Sequence, residues 1–424
     1  MRDLLPADTA VRDHVLASVT AVYSRYGYRR IETPALEDIS RLSSGEGGDN
    51  EKLVFEVLRR GLPTEVEAGT RLRDLVDLGL RYDLTVPLTR FYGANQAKLP
   101  TPFRSLQVGP VWRAERPQRG RYRQFYQCDI DMIGEPTVLA DVELIEATSE
   151  ALAAVGLEGV TVRICDRRFL SALAYASGVP AQAEAGFFIT LDKLDKIGWE
   201  GVRAELAANG LATDVIDRAV DMITSLRDQP ADKLADALAN AIPGIGPELV
   251  SDLSATAAAL DRLSGQRPVS WEFDPTLVRG MGYYTGHIFE VARPDVPFSL
   301  AGGGRYDKLI GRWLGKDVPA VGFSLGFERI VDLLESSVNR DAVAVLAEAD
   351  VAPADALEVA RDLRGTASDA TSVGVVEVVR RSGKFGAQLK RLEAAGFGAF
   401  VTVQMRDGEV VRGELRSLGG APGA

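Results

Sequence analysis

Residues 102–134 read PFRSLQVGPVWRAERPQRGRYRQFYQCDIDMIG. Polar and apolar residues alternate well enough through 102–115, and again through 122–134, for each stretch to be a strand with successive side chains on opposite faces. Between them, RPQRG is a polar segment ending in glycine, which suits a turn. The two strands therefore form a long antiparallel hairpin whose loop carries Arg116, Arg119 and Arg121. That loop is more cationic than a connector needs; a solvated hairpin tip is the alternative. Gln127, Asp129 and Asp131 are two apart on the second strand and so share one face, and Arg113 and Glu115 share a face of the first in the same way. A buried polar group left unpaired costs about 1 to 3 kcal/mol, so a sheet face lined like this is expected to meet a ligand or water.

Upstream of the hairpin, Val11, Val15, Val19, Val22 and Tyr26 recur every three or four residues and predict a helix ended by Gly27. YRRIETP (28–34) follows as a short strand, with Pro34 limiting further pairing. Downstream, 137–155 reads as a helix and GVTVRICD (159–166) as a strand, and 166–268 is mostly helical, like an inserted module. Strand signals return in GYYTGHIFEVA (282–292) and FSLAGGGRYD (298–307), and VPAVGFSLG (318–326) runs into the helix FERIVDLLE (327–335). After a break at 336–341, the strands AVAVLA, SVGVVEVV and AFVTVQM alternate with the helices ADALEVARDLR and GAQLKRLEAAG. That order predicts a small α/β domain with a partly parallel sheet. The fold class is α+β, with antiparallel sheet flanked by helices and four segments: 1–165 and 269–336 as two parts of one core, 166–268 as the helical insertion, and 341–424 as the terminal domain.

A chain of 424 residues has room for roughly two to four domains. Its 46% hydrophobic and 26% charged residues place it among folded globular proteins. No run of about 18 apolar residues predicts a membrane helix, and MRDLLPADT lacks the features of a signal peptide, so the cytoplasm is the expected compartment. A net charge of -11 argues against holding nucleic acid by bulk attraction, though a local basic face stays open. The two cysteines, Cys128 and Cys165, are too few for a disulfide framework, and with only His14 and His287 a two-histidine metal site is nearly excluded. No metal centre is predicted. Chemistry must rest on Arg, carboxylates, Tyr and Gln. LAGGGRYDKL is no P-loop, since no Gly-Lys-Ser/Thr follows, and GMGYYTG does not sit at a Rossmann strand-to-helix turn. Arg329, a cation where helices prefer acids, suggests an anionic ligand.

Taken together, these segments resemble the histidyl-tRNA synthetases, a class II aminoacyl-tRNA synthetase family, over almost the whole chain. ETPALED (32–38) looks like motif 1, GPVWRAERPQRGRYRQFYQCDID (109–131) like motif 2, and GFSLGFERI (322–330) like motif 3. LVRGMGYYTG (277–286) and AGGGRYDKL (301–309) are similar to the two histidine signatures, with Gly282 where the family usually has Asp. LRYDLTVPLTR (80–90) resembles the segment that meets the substrate amino group. LDKLDKIG (191–198) resembles part of the insertion in the archaeal and eukaryotic branch.

The resemblance implies ATP-dependent activation of histidine and its transfer to tRNA(His) by a homodimer with Pro34 at its interface. It implies catalytic roles for Arg113, Arg279 and Arg329, and ATP contacts from Arg113, Glu115, Arg121, Phe125 and Arg329, with Glu115 near adenine or the magnesium carried by ATP. It places Asp83, Thr85 and Gln127 on the substrate ammonium. Asp131, Tyr283, Tyr284, Gly303 and Tyr306 complete the histidine pocket. Arg116, Gln118, Arg380, Arg381 and Lys384 are its tRNA contacts, the last three within an anticodon-binding-like domain. The competing readings are a paralogue such as the regulatory subunit of ATP phosphoribosyltransferase, and a ligase with a non-tRNA acceptor. Such paralogues lose motif arginines and usually the last domain, whereas Arg113, Arg279, Arg329 and a last domain are all present.

Overall fold

The structure is a computed structural model that describes residues 1–43, 52–63, 65–67, 69–116, 122–279, 283–334, 342–365 and 375–418. Two compact units emerge, one of 1–3 with 12–333 and one of 4–11 with 334–424.

In the first unit, α1 (Pro6–Arg25) buries Val15, Val19, Val22 and Tyr23, and Gly27 ends it with φ +83, a left-handed turn that suits glycine. The Tyr26 hydroxyl donates to Glu150, 2.7 Å away. Next come β1 (Arg29–Ile31), β2 (Leu36–Asp38), α2 (Ile39–Leu42), β3 (Phe55–Leu58), β4 (Val76–Leu80) and α3 (Thr85–Asn95). The hairpin follows as β5 (Phe103–Trp112) and β6 (Gln124–Ile133), paired antiparallel with Gly109 opposite Gln127. α4 (Leu139–Ala154), which packs on β6, leads to β7 (Thr161–Asp166). Six helices then run from 167 to 264: α5 (Arg167–Ser177), α6 (Glu184–Leu191), α7 (Leu194–Ala208), α8 (Thr213–Leu226), α9 (Ala231–Ala241) and α10 (Pro247–Ser264). They share one apolar core with Cys165, Phe273 and Ile288 of the sheet, so the helical run does not part from the unit as a separate body. The unit closes with β8 (Trp271–Phe273), β9 (His287–Arg293), β10 (Val296–Arg305), α11 (Asp307–Leu314), β11 (Ala320–Leu325) and α12 (Phe327–Leu334).

The main sheet has eight strands in the order β1-β5-β6-β11-β10-β9-β7-β8. Its interior is antiparallel, and only the two edges, β1 on β5 and β8 on β7, are parallel. Leu106, Ile130, Phe323 and Phe289 lie in register on one face, all buried. Arg305 turns toward that side too, pairing with Asp141 of α4 and donating to the Thr137 carbonyl at 3.0 Å. Alternation then puts Gln107, Asp129, Asp131, Ser324 and Glu290 on the opposite face, where the site lies.

The second unit contains β12 (Ala342–Ala347), α13 (Pro353–Gly365), β13 (Val376–Arg380), α14 (Phe385–Ala394), β14 (Phe397–Arg406), β15 (Glu409–Arg412) and β16 (Arg416–Ser417). β12 is flanked in parallel by β13 and β14. Val345 and Ala347 enter one apolar cluster and Ala344 and Leu346 another, as a strand covered on both faces requires.

Candidate active site

The polar face of the sheet floors a cleft of about 510 Å³. Glycines keep that floor open. Gly302 and Gly304 of β10 stand opposite Ser324 and Gly322 of β11, on the site face. A Cβ on Gly302 would overlap the Arg279 guanidinium, one on Gly304 would come within 2.8 Å of the Tyr284 ring, and one on Gly322 would strike the Asp131 carboxylate. Gly303 differs from these three. It pairs with Phe323 and Phe289, so it reaches the cleft only through its backbone.

One half of the cleft is an acceptor cluster. Asp83 Oδ1 accepts from the Val86 amide at 3.1 Å, beside the start of α3. Asp131 Oδ1 accepts from the Tyr306 hydroxyl at 2.6 Å. The Gln127 amide donates to Ser324 Oγ at 3.0 Å, which aims its carbonyl oxygen elsewhere. Asp83 Oδ2, Asp129 Oδ1, Asp131 Oδ2 and Gln127 Oε1 are all buried with no hydrogen-bond partner among the described residues. Burial pushes the Asp83 carboxyl up to about 6, against the pull of the Val86 amide and the Arg113 charge. Burial likewise lifts Asp131 to about 7, with Tyr306 opposing and Asp83 adding to the rise. Asp129 goes well above the ordinary carboxylate range through burial and then its neighbour Asp131. Four acceptors held without donors match a ligand with several N–H groups, since leaving each unmet costs about 1 to 3 kcal/mol. Tyr283, Tyr284 and Tyr306 wall this half, with Tyr283 edge-on to the other two at 4.9 and 6.0 Å between ring centroids.

The other half is cationic. Arg113 Nε donates to the Tyr82 carbonyl at 3.0 Å, and its guanidinium lies 5.0 Å from the centre of the Phe125 ring. Arg329 donates to the Ser299 carbonyl at 2.7 Å and lies 5.2 Å from the Phe298 ring centre. Arg279 is held at 3.0 Å by Glu290 of β9. The cleft therefore separates carboxylate acceptors from three fixed guanidinium groups.

Asp83, Thr85, Arg113, Glu115, Phe125, Gln127, Asp131, Arg279, Tyr283, Tyr284, Gly303, Tyr306 and Arg329 all line this cleft. Gln118, Arg121 and Gly282 lie outside the described residues. Two expectations change. β5 ends at Trp112, so Arg113 and Glu115 come together in the segment beyond the strand, and strand alternation does not place them. Arg116, as expected of a loop cation, is exposed beyond the same strand end. The second change concerns Arg380 and Arg381, which make contacts within the second unit. Arg380 donates to the carbonyls of Glu348 at 2.9 Å and Val351 at 2.8 Å, and Arg381 pairs with Glu348 at 3.0 Å and lies over Phe385. Arg380 is exposed despite these contacts, as are Lys384, Lys390 and Arg391. Gly302, Gly304, Gly322, Ser324, Glu290 and Asp192, none of them among the expected site residues, also line the cleft. Alternation applied to GGG and GFSLG would have found the first four. Neither histidine is among the cleft's lining residues: His14 is exposed on α1, and His287 is buried 3.3 Å from Asp141.

A large, mostly antiparallel sheet with this polar floor defines a class II synthetase fold. A solved histidyl-tRNA synthetase from Nostoc sp. PCC 7120 matches it with a TM-score of 0.77 at 24% identity, covering 97% of this chain and 95% of that one. An ATP phosphoribosyltransferase regulatory subunit/histidyl-tRNA synthetase from Bacillus halodurans C matches with a TM-score of 0.75 at 22% identity, covering 96% and 97%. The fold alone thus does not separate a ligase from a regulatory paralogue. Sequence goes further, because the histidyl-tRNA synthetase family profile matches residues 1–330, and a histidine–tRNA ligase of Leifsonia xyli subsp. xyli is 46% identical over 416 residues, 95% of this chain and 94% of its own. The chain belongs to the histidyl-tRNA synthetase family. The relatives that match it at 35% to 46% identity are bacterial, so the archaeal and eukaryotic branch suggested by LDKLDKIG is not supported.

Proposed function

We propose that this chain activates histidine with ATP and transfers it to tRNA(His). The observation that carries the reading is the set of buried oxygens of Asp83, Asp129, Asp131 and Gln127 without partners, placed in one cleft with Arg113, Arg279 and Arg329. A substrate with an ammonium group and a ring N–H supplies the missing donors, and a polyphosphate meets the cations. In the first step a histidine carboxylate oxygen attacks the α-phosphorus of ATP; the bond to the β,γ-diphosphate breaks, giving histidyl-adenylate and pyrophosphate. In the second, a terminal ribose hydroxyl of tRNA attacks the acyl carbon and AMP leaves.

Arg113 holds the α-phosphate, Arg329 the γ-phosphate, and Arg279 the carboxylate beside the reacting phosphorus. Charge already fixed where negative charge develops needs no reorganisation during reaction. Glu115 and Phe125 serve the adenine side, and Mg2+ arrives with the nucleotide. Asp83, Thr85 and Gln127 take the ammonium. Asp131 and Tyr306 take the imidazole, walled by Tyr283 and Tyr284. A site that pairs both ring nitrogens rejects apolar isosteres by roughly 10⁴ or more, so activation needs no editing. The chain works as a homodimer with the Pro34 segment at its interface, in the cytoplasm; no helix among the described residues is long and apolar enough to cross a membrane. The second unit is the tRNA handle. Histidine-dependent exchange of pyrophosphate into ATP, followed by charging of total tRNA, tests the reading. Absence of exchange refutes activation, and exchange without charging favours a different acceptor.

A further inference from the structure

Beside the cationic half of the cleft, α12 carries two carboxylates one helical turn apart, Glu328 and Asp332, each covered by an arginine from the start of the chain. Glu328 takes a forked pair from Arg12, with Nη1 to Oε2 at 2.5 Å and Nη2 to Oε1 at 2.9 Å. Both side chains are more than nine-tenths buried. Glu328 Oε1 also accepts the Tyr126 backbone amide at 3.0 Å, and the Arg12 guanidinium lies 5.0 Å and 4.9 Å from the ring centres of Tyr126 and Phe327. One turn on, Arg2 lies 3.8 Å from Asp332 and 4.4 Å from the Tyr122 ring centre, and the Tyr122 hydroxyl donates to Asp332 at 3.1 Å.

What this network joins is specific. Tyr126 stands between Phe125, which carries Arg113 on its ring, and Gln127. Glu328 is covalently next to Arg329. The Glu328 carboxylate therefore ties the strand that supports Arg113 to the helix that supports Arg329, the two cations placed 216 positions apart in sequence. On the amino-acid side, Asp83 and Tyr306 sit at the starts of α3 and α11; Gln127 and Asp131 share β6 with Tyr126, but Gln127 is bonded to Ser324 of β11, and Asp131, five residues beyond Tyr126, lies where β5 and β11 pair with the strand from both sides. We infer that Arg12 is a positioning residue for the nucleotide: by holding Glu328 on the Tyr126 amide, it fixes the spacing of Arg113 and Arg329 across the phosphates, while leaving the amino-acid half alone. This rests on the ATP reading of that half. Without Arg12, the buried Glu328 carboxylate keeps only the more exposed Arg2, 3.7 Å away, and loses the forked hold that aims it at the Tyr126 amide, which releases the Tyr126 end of β6.

The test is pyrophosphate exchange by full-length wild-type protein and the Arg12→Met, Arg12→Lys and Glu328→Gln variants, with ATP and histidine varied separately. Thermal melts and calorimetric titration with histidine accompany it. Arg12→Met should raise the ATP KM at least tenfold and lower kcat at least tenfold, with histidine Kd within twofold. Arg12→Lys, which keeps the charge but cannot fork, should fall between. The Arg12→Met/Glu328→Gln double variant should be no worse than the worse single one, since both remove the same tie. Should Arg12→Met not fold, Arg12→Lys and Glu328→Gln carry the test. If these melt lower but keep ATP KM and kcat within twofold, the pair is structural only and the inference is overturned. Equal shifts for histidine and ATP overturn it too. A wild-type protein with no histidine-dependent exchange overturns the ATP reading itself, whereas active wild type with unmoved variants overturns only the clamp.

Discussion

Arg113 and Arg329 each spend one contact on a backbone carbonyl, which aims the guanidinium before any phosphate arrives. Arg113→Ala and Arg329→Ala should therefore lower exchange more than a hundredfold, about 3 kcal/mol, while melting close to wild type. Normal exchange in either variant would remove it from the catalytic set. Asp83 and Asp131 make a second prediction. Burial raises both carboxyls, so the empty site favours their neutral forms up to about pH 6 and about pH 7. A bound ammonium and ring N–H favour the ionised forms. Histidine binding should then release protons between about pH 6 and 7, and affinity should weaken as pH falls through that window. Calorimetry at pH 6.5 in buffers of different ionisation heat measures the release, and Asp131→Asn should remove the larger part of the protein's share, leaving the parts of Asp83 and of the free histidine ring. No difference between wild type and Asp131→Asn would show that Asp131 is ionised before histidine binds.

At the scale of strands and helices, three consecutive glycines do two different jobs, and the register separates them. A methyl on Gly302 meets first the guanidinium end of the Arg279 side chain, whereas one on Gly303 meets the Gly322 carbonyl oxygen and lies 2.8 Å from Phe323 Cα. Gly302→Ala should melt near wild type and lose exchange about a hundredfold. Gly303→Ala should lose stability, about 1 to 3 kcal/mol as overpacking commonly costs. The reverse pattern in melts and exchange rates would contradict the register. Much of this level is legible in sequence. A period-two pattern in 122–134 places Gln127, Asp129 and Asp131 on one face without any structure, because pleating allows no other arrangement. The strand ends are less legible: just past Trp112 the Ala114 amide donates to the Leu53 carbonyl, a distant partner that alternation does not show. Tertiary partners are not legible at all. Nothing near Arg12 in sequence announces a carboxylate 316 residues away, and a run such as Arg380, Arg381 and Lys384 shows its charge but not which guanidinium makes contacts within the second unit.

For the molecule as a whole, the proposed activation site lies in the first unit, and the proposed grip on tRNA in the second. The contacts that Arg380 and Arg381 make within the second unit decide how that grip can be tested. Neutralising either would break contacts to Glu348 and Val351 that help hold the small sheet, so a loss of tRNA binding would be ambiguous. Lys384, Lys390 and Arg391 are exposed on and beside α14, and their removal leaves those contacts in place. Each cation that meets a phosphate displaces condensed counterions, so each lost contact should flatten the dependence of log affinity on log salt by about 0.7 to 0.9. The Lys384→Gln/Lys390→Gln/Arg391→Gln variant should weaken tRNA binding and raise the tRNA KM most at low salt. Its histidine-dependent pyrophosphate exchange should stay within twofold of wild type, because no adenylate-forming group is altered. Filter binding from 50 to 200 mM salt, with charging assays alongside, measures both. An unchanged slope with an unchanged KM would mean that tRNA is held by another surface, and would leave the second unit without a nucleic-acid role on this face.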